Sequence, residues 1–265
     1  MERILTADAG SLMGIAGMST EVANRVANAK SHLTRAEDYY QQLRQRDINV
    51  ISRFETSYPQ RLFELNDPPT LLFYRGTLPD ENGKAVALAG DEQASNEGIE
   101  LTVELARRFA VAKVQLIASL SRGIDSAAHL GSRAGDGLSF AVLDSGLESI
   151  HPEESSPLAA DIARAGGLLS EFGPDKKHEA DSFKASNRII AALSQAVVVT
   201  EFFSSSRHTL DLLKCCSQIG KLVFIMIDPR HGALTDKDGF DAAVTYGAIP
   251  MVGMEKVDDI IQALV

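Results

Sequence analysis

The sequence predicts an α/β protein: a parallel sheet covered by helices on both faces, preceded by a small helical region. Short apolar, β-branched runs such as Ala85–Ala89, Val114–Ser119 and Ala196–Glu201 do not alternate with polar residues, which is the pattern of strands buried on both faces. Between them lie segments with apolar residues at helical spacing, so that strand and helix take turns along the chain. The first strand signal comes at Ile48, which sets a small helical region over residues 1–47 and a main domain over residues 48–265.

Taken in order, Ser19 or Thr20 is expected to cap a helix over Glu21–Ala29, and Thr34-Arg-Ala-Glu37 reads as a capping box before a second helix ending near Asp47. A strand over Ile48–Ser52 follows, then a proline-interrupted stretch from Tyr58-Pro59 to Pro68-Pro69, then a strand over Thr70–Tyr74. From Lys84 the alternation becomes regular. Strand Ala85–Ala89 leads through a Ser95 cap into a helix bearing Ile99, Val103, Ala106 and Ala110, and strand Val114–Ser119 leads into helix Ile124–Ala134. Strand Leu138–Leu143 precedes a helix punctuated by Ser156 as cap, Pro157 in its first turn and Gly166-Gly167 at its end. Strand Leu168–Glu171, helix Asn187–Leu193, strand Ala196–Glu201, helix Thr209–Ile219 and strand Leu222–Ile227 come next. A helix near Gly239–Tyr246, a strand at Ile249–Val252 and a helix over Glu255–Leu264 finish the chain.

Composition narrows the function classes. No apolar run approaches the ~20 residues that span a bilayer, and Met1-Glu2-Arg3 begins no signal-peptide core, so a cytoplasmic protein with no membrane partner is expected. The two cysteines, Cys215 and Cys216, are adjacent in a helical pattern; they read as packing residues, with neither a disulfide framework nor a metal set. The formal charge is −10, so any polyanion must be held by a local basic pocket against an unfavourable overall field.

In such a sheet ligands sit beyond the carboxyl ends of the strands, at the strand-to-helix turns. The turn Gly90-Asp91-Glu92 has a phosphate loop's glycine but two acids, which suit a helix N-terminus better than an anion. At Ser121-Arg122-Gly123 the arginine sits where the helix dipole disfavours it by roughly 0.3–1 kcal/mol and favours an anion. Asp125 reads as a first-turn helix acid and His129 as a packed side chain. Lys184 and Arg188 flank an expected Ser186 cap, with Asn187 beside them; Phe183 reads either as a face for a base or as core, and Arg188 either as a phosphate clamp with Asn187 or as a surface group, while Ser204-Ser205-Ser206-Arg207-His208 opens another helix. Three junctions with a base at an unfavourable helix end suggest one shared anionic ligand. No catalytic carboxylate pair, nucleophile elbow or metal cluster is evident, so a protein that holds rather than reacts is expected, with no cofactor.

These segments resemble the DprA/Smf family of DNA-processing proteins. The resemblance rests on Tyr58-Pro59, Asp67-Pro-Pro69 leading to Leu72-Phe-Tyr-Arg75-Gly76, Arg122-Gly-Ile-Asp125-Ser-Ala-Ala-His129, Ala141-Val-Leu with Ser145-Gly146-Leu147, Leu169-Ser-Glu171-Phe, Asn187-Arg-Ile-Ile190-Ala-Ala-Leu-Ser194, Val198-Val-Thr-Glu201 and Gly247-Ala248. It runs from about Tyr39 onward and stops before the C-terminal winged-helix segment that many members carry. It implies an extended Rossmann-like fold and a homodimer without enzymatic activity. Such a protein binds single-stranded DNA and passes it to a RecA-type recombinase in natural transformation and recombination. The implied strand-binding residues are Arg122, Gly123, Ser145, Gly146, Lys184, Asn187, Arg188 and Arg207.

The chain also departs from the family. Gly90-Asp91-Glu92 stands for Gly-Ser-Arg, Ala118-Ser119 for Ser-Gly, Asp144-Ser145-Gly146 for Gly-Ser-Gly, and Ser186-Asn187-Arg188 for Arg-Asn-Arg. Two arginines are thus missing and acids stand near the phosphate site, which keeps a second reading in play: a sensor of a nucleotide ligand with weak or lost DNA binding. A nucleoside-monophosphate phosphoribohydrolase is disfavoured, because Ser204–Thr209 lacks the glycines of Pro-Gly-Gly-x-Gly-Thr-x-x-Glu.

Overall fold

The structure, a computed structural model, describes residues 7–230 and 234–264; the Met1-Glu2-Arg3 start lies outside them. The chain forms two compact units, Met1–Asn49 and Val50–Val265. In the first, helices α1 (Ala9–Met13), α2 (Thr20–Asn28) and α3 (Leu33–Gln45) bury Leu12, Ala23 and Leu43. Ser19 caps α2 through the Val22 amide. The expected Thr34–Glu37 capping box is not formed: α3 already begins at Leu33, continuing a short 3-10 turn over Ala29–His32, so Thr34 lies inside its first turn.

The second unit is built on strands β1 (Asn49–Ser52), β2 (Leu71–Gly76), β3 (Ala85–Ala89), β4 (Gln115–Ala118), β5 (Ser139–Val142), β6 (Gly167–Ser170), β7 (Ala196–Val199), β8 (Leu222–Ile227) and β9 (Ile249–Val252). They form one nine-stranded sheet in the order β1-β2-β6-β5-β4-β3-β7-β8-β9. The run from β6 to β9 is parallel, in line with the buried strand pattern, whereas β2 pairs antiparallel with β6. Because β2 runs backward, its first residues lie at the same sheet edge as the carboxyl ends of the parallel strands: Phe73 stands opposite Ser170.

Helices α4 (Asn96–Val111), α5 (Ile124–Ala134), α6 (Ser156–Ala165), α7 (Phe183–Leu193), α8 (Arg207–Gln218), α9 (Lys237–Thr245) and α10 (Val257–Ala263) connect the strands and cover both faces. Strand β3 shows why both must be covered. Ala85, Ala87 and Ala89 belong to one core, with Ile189 and Ile190 of α7 and Leu212 and Leu213 of α8. Val86 and Leu88 belong to the other, with Leu101, Leu105 and Phe109 of α4 and Val257 of α10. The small alanines leave that face of β3 to the larger apolar side chains of α7 and α8. No described helix is long and apolar enough to cross a membrane.

Two sequence features resolve into packing. Cys216 is buried in α8 and burial pushes its thiol up to about 12, while Cys215, half-buried, is pushed up to about 11. Tyr58, 1% exposed, donates from its hydroxyl to the Pro69 carbonyl at 2.8 Å and so pins the proline-rich stretch where it enters β2. Burial raises its phenol to about 12, which keeps that donor protonated. Tyr58→Phe leaves the Pro69 carbonyl without its donor and is expected to cost about 1–3 kcal/mol; urea unfolding of both proteins measures it, and an unchanged midpoint refutes the pinning.

Candidate functional site

The order β4-β3-β7 places a topological switch at β3: the chain winds outward through β4, β5 and β6, then returns beside β3 as β7. A cavity of about 490 Å3 opens at the carboxyl ends of these strands. Its described lining comes from the turns after β3 (Gly90, Asp91, Glu92, Gln93), β4 (Ser119 to Arg122), β5 (Leu143, Asp144, His151, Pro152) and β7 (Phe203, Ser205, Ser206, Arg207, His208), with His178, Ala180 and Phe183 from the segment before and into α7.

The turns are locked to one another by main-chain bonds. The Asp91 amide donates to the Glu201 carbonyl at 2.8 Å, and the Ile124 amide donates to the Asp91 carbonyl at 3.1 Å. Thr209, fully buried, donates from its hydroxyl to the Gly90 carbonyl at 3.0 Å, which ties the first turn of α8 to β3. Gly123 is required where the β4 turn meets α5: its φ is +64°, and a Cβ there would run into the Asp91 carbonyl oxygen.

The acids are occupied by the fold. Asp91 accepts from the Gln93 amide at 2.9 Å and, at a longer 3.4 Å, from the Phe203 amide. Its charge therefore serves the loops at the switch and not the helix N-terminus expected from the sequence, since α4 begins only at Asn96 behind the Ser95 cap and carries Glu97 as its first-turn acid. Glu201, 2% exposed, accepts from the Ser95 amide and hydroxyl, while Ser95 caps α4 by accepting from the Gly98 amide. Asp125, 1% exposed, accepts from the Ser119 and Ser121 hydroxyls at 2.6 and 2.5 Å, so that Ser119 at the departure from the family pattern anchors the turn that carries Arg122. His129 is buried and its Nε2 lies 2.8 Å from the Ser119 carbonyl; burial holds its pKa low, with that carbonyl and Asp125 opposing. A neutral ring donates from Nε2 to the carbonyl.

The strand-binding residues expected from the sequence are distributed unevenly around this cavity. Arg122 and Arg207 line it. Each is exposed and faces an exposed carboxylate: Arg122 pairs with Glu154, and Arg207 with Asp181 at 2.7 Å. The Arg207 guanidinium also lies 5.7 Å from the ring centre of Phe183, which meets His208 edge-on. Gly123 supports the turn from behind. Ser145 is buried, and Gly146 lies so close to the Gly173 and Pro174 carbonyls that a Cβ would not fit, which makes this pair a seat for the loop after β6.

The remaining three do not gather there. Helix α7 begins at Phe183, four residues before the expected start, because the buried Phe183 docks against α8 and extends the helix; Ser186 is no cap, and its hydroxyl donates to the Phe183 carbonyl. Likewise α8 begins at Arg207 instead of Thr209. Lys184 is an exposed partner of Asp181 at 3.2 Å. Asn187, fully buried, donates from Nδ2 to the His208 carbonyl and to Asp211 at 2.9 and 3.0 Å. Arg188 is one turn inside the helix, 19% exposed, donating to the Asp67 carbonyl at 2.9 Å and paired with Glu171 and Asp67. Of the lining histidines, sequence reasoning singled out His208 but gave no role to His151 or His178, nor to Phe203. His151 and His178 are stacked in parallel at 3.9 Å and His178 Nδ1 lies 2.9 Å from Asp144. The available signal was position: each follows the carboxyl end of a strand.

Residues 49–264 match the family model described as DNA recombination-mediator protein A. Protein Smf of Synechocystis is 28% identical over 83% of the chain, which spans 57% of that protein. The chain thus spans about half the length of the curated relatives it matches. Among solved structures, DNA processing protein A from Streptococcus pneumoniae superposes with a TM-score of 0.76 at 25% identity, covering 96% of this chain and 86% of that one. DNA processing protein A from Helicobacter pylori, solved for its single-stranded DNA binding mode, gives a TM-score of 0.68 at 21% identity, covers 82% and 95%, and adds likeness of fold.

Two outcomes follow from the buried charges. Burial raises the Glu171 carboxyl while Arg188 opposes the rise. Arg188→Ala leaves a partly buried carboxylate without its cation and is expected to cost about 1–3 kcal/mol near neutral pH. The deficit should shrink as pH falls and vanish below the ordinary carboxyl value of about 4.3, where Glu171 is neutral both folded and unfolded; a deficit independent of pH in chemical denaturation refutes this. For His129 the sign is opposite to that of a paired histidine. The unfolded chain takes up a proton below about 6.5 and the folded chain resists. Stability from this group is present above that value and lost as pH falls below it, and His129→Gln should flatten the loss.

Proposed function

The chain belongs to the DNA recombination-mediator protein A family, and we propose from that premise that it is a cytoplasmic, non-enzymatic holder of single-stranded DNA. In this reading it protects the strand and loads a RecA-type recombinase in recombination and natural transformation, acting as a homodimer. The observation that carries the strand-binding part is the switch-point cavity, in which Arg122, in the turn before α5, and Arg207, at the start of α8, face the opening while the half-buried Phe203 adds aromatic surface. Cations at helix N-termini are unfavourable until an anion arrives, and a phosphodiester backbone supplies one to both. Surface pairs such as Arg122 with Glu154 and Arg207 with Asp181 are weak, so an entering phosphate exchanges for the carboxylates at little cost. Aromatic rings offer bases a stacking face without sequence preference. Holding fits the acids as well, since Asp91, Asp125 and Glu201 are engaged in hydrogen bonds that build the turns.

Lys184 stands outside the cavity at the start of α7, paired with Asp181. Asn187, Arg188, Ser145, Gly146 and Gly123 support the site from behind by fixing the loops and helices that shape it. A second reading, recognition of a single nucleotide, is favoured by a volume within the roughly 300–1,000 Å3 of small-molecule pockets.

Fluorescence anisotropy with a labelled oligonucleotide across a salt series tests the proposal. Binding is expected to weaken as salt rises, and Arg122→Ala and Arg207→Ala should each lower the log–log slope by about 0.7, the increment that one neutralised phosphate contributes on a single strand. No binding at low salt sinks the strand-holding reading. A mononucleotide that displaces the oligomer at equal concentration supports the second reading instead.

A further inference from the structure

We propose that His178 and His151 form a proton-dependent subsite for a phosphate oxygen within the switch-point cavity. The subsite deepens the strand-holding reading and rests on it. Both rings line the cavity, with centroids 3.9 Å apart and planes 11° from parallel. His178 Nδ1 lies 2.9 Å from Asp144 Oδ2. An ionised carboxylate only accepts, so Nδ1 carries the proton of the neutral ring, and Nε2 is left with a lone pair that repels a phosphate oxygen. Taking up a proton converts Nε2 into a second donor and gives the pair a positive charge. Two parallel imidazolium rings at this separation repel one another, so a single added proton is shared by the stack and a second is disfavoured.

Charged groups face the pair from each neighbouring element. Asp144 stands after β5. Glu154, from the short 3-10 turn Glu153–Ser155, has its carboxyl held low by its own amide, by Arg122 and by His151. Arg122 comes from the turn before α5, Arg207 and His208 from α8, and Asp91 and Glu92 from the turn after β3, all lining the same cavity, while Lys176 and Glu179, in the segment that carries His178, pair with each other outside it. With the pair neutral, Asp144 accepts from Nδ1 but its negative charge at the cavity wall has no cation beside it in the pair. With the pair protonated, that charge is covered and a donor is added in the same place. The two effects act in one direction, toward an anion.

The experiment uses a labelled oligothymidylate, whose phosphodiesters do not titrate near neutrality, with anisotropy read at pH values of about 5.5 and about 8, either side of the imidazole reference value. Affinity is expected to be about tenfold tighter at the acid value, with a salt slope steeper by about 0.7, the increment of one further neutralised phosphate. His178→Gln and His151→Gln should each remove that gain, while His208→Gln keeps it and Arg122→Ala weakens binding at both values without changing their ratio. Thermal unfolding at the higher pH confirms that the variants are folded. Binding that ignores pH overturns the subsite alone, as does a gain that survives both substitutions or disappears with His208→Gln. Absence of binding at every pH overturns the strand-holding reading and the subsite together.

Discussion

The crevice between β3 and β7 stays open because the chain at Gly90-Asp91 is pinned from both sides. One bond runs from the Asp91 amide to the Glu201 carbonyl, and another from the Ile124 amide to the Asp91 carbonyl, with Gly123 providing the close approach. Arg122 and Arg207 are both placed by this lock: it sets the angle at which α5 leaves β4, and through Thr209 it sets where α8 begins. Asp91 is therefore a brace before it is a charge, and its substitution for the family's residue changes the electrostatics of the cavity while keeping the turn.

An acidic chain that holds an anion must separate its charges in depth. Here the deep carboxylates, Glu201, Asp125 and Glu171, are met by hydroxyls, amides or a guanidinium, whereas the exposed ones, Glu154 and Asp181, stand opposite the arginines at the opening. The deep set organises loops and the outer set is exchangeable. At an effective dielectric near 20 a unit charge about 4 Å away is worth about 4 kcal/mol, so which carboxylates stay and which swing aside decides whether the field of −10 reaches the ligand.

Much of the fold was legible from periodicity. Strands Ala85–Ala89, Leu222–Ile227 and Ile249–Val252 and helix Ile124–Ala134 stand where apolar pattern and punctuation put them. The antiparallel β2 was not legible, since direction in a sheet is a tertiary property. Helix α7 was misjudged because a serine before Asn187 imitates a cap, while the true start depends on the docking of Phe183 against a helix more than 20 residues later. Site residues followed the same division. Arg122 and Arg207 were readable from turn position, but the pairing of Arg188 with Glu171 and the stacking of His151 on His178 join segments between which sequence spacing gives no relation.

The two neighbouring thiols of α8 have a practical consequence. With Cys215 and Cys216 held protonated by their surroundings, the native chain carries no described thiolate poised for alkylation. A single cysteine engineered at the rim of the cavity would therefore take a maleimide dye against a quiet background, and the fluorescence of that one position would follow a ligand's arrival in real time.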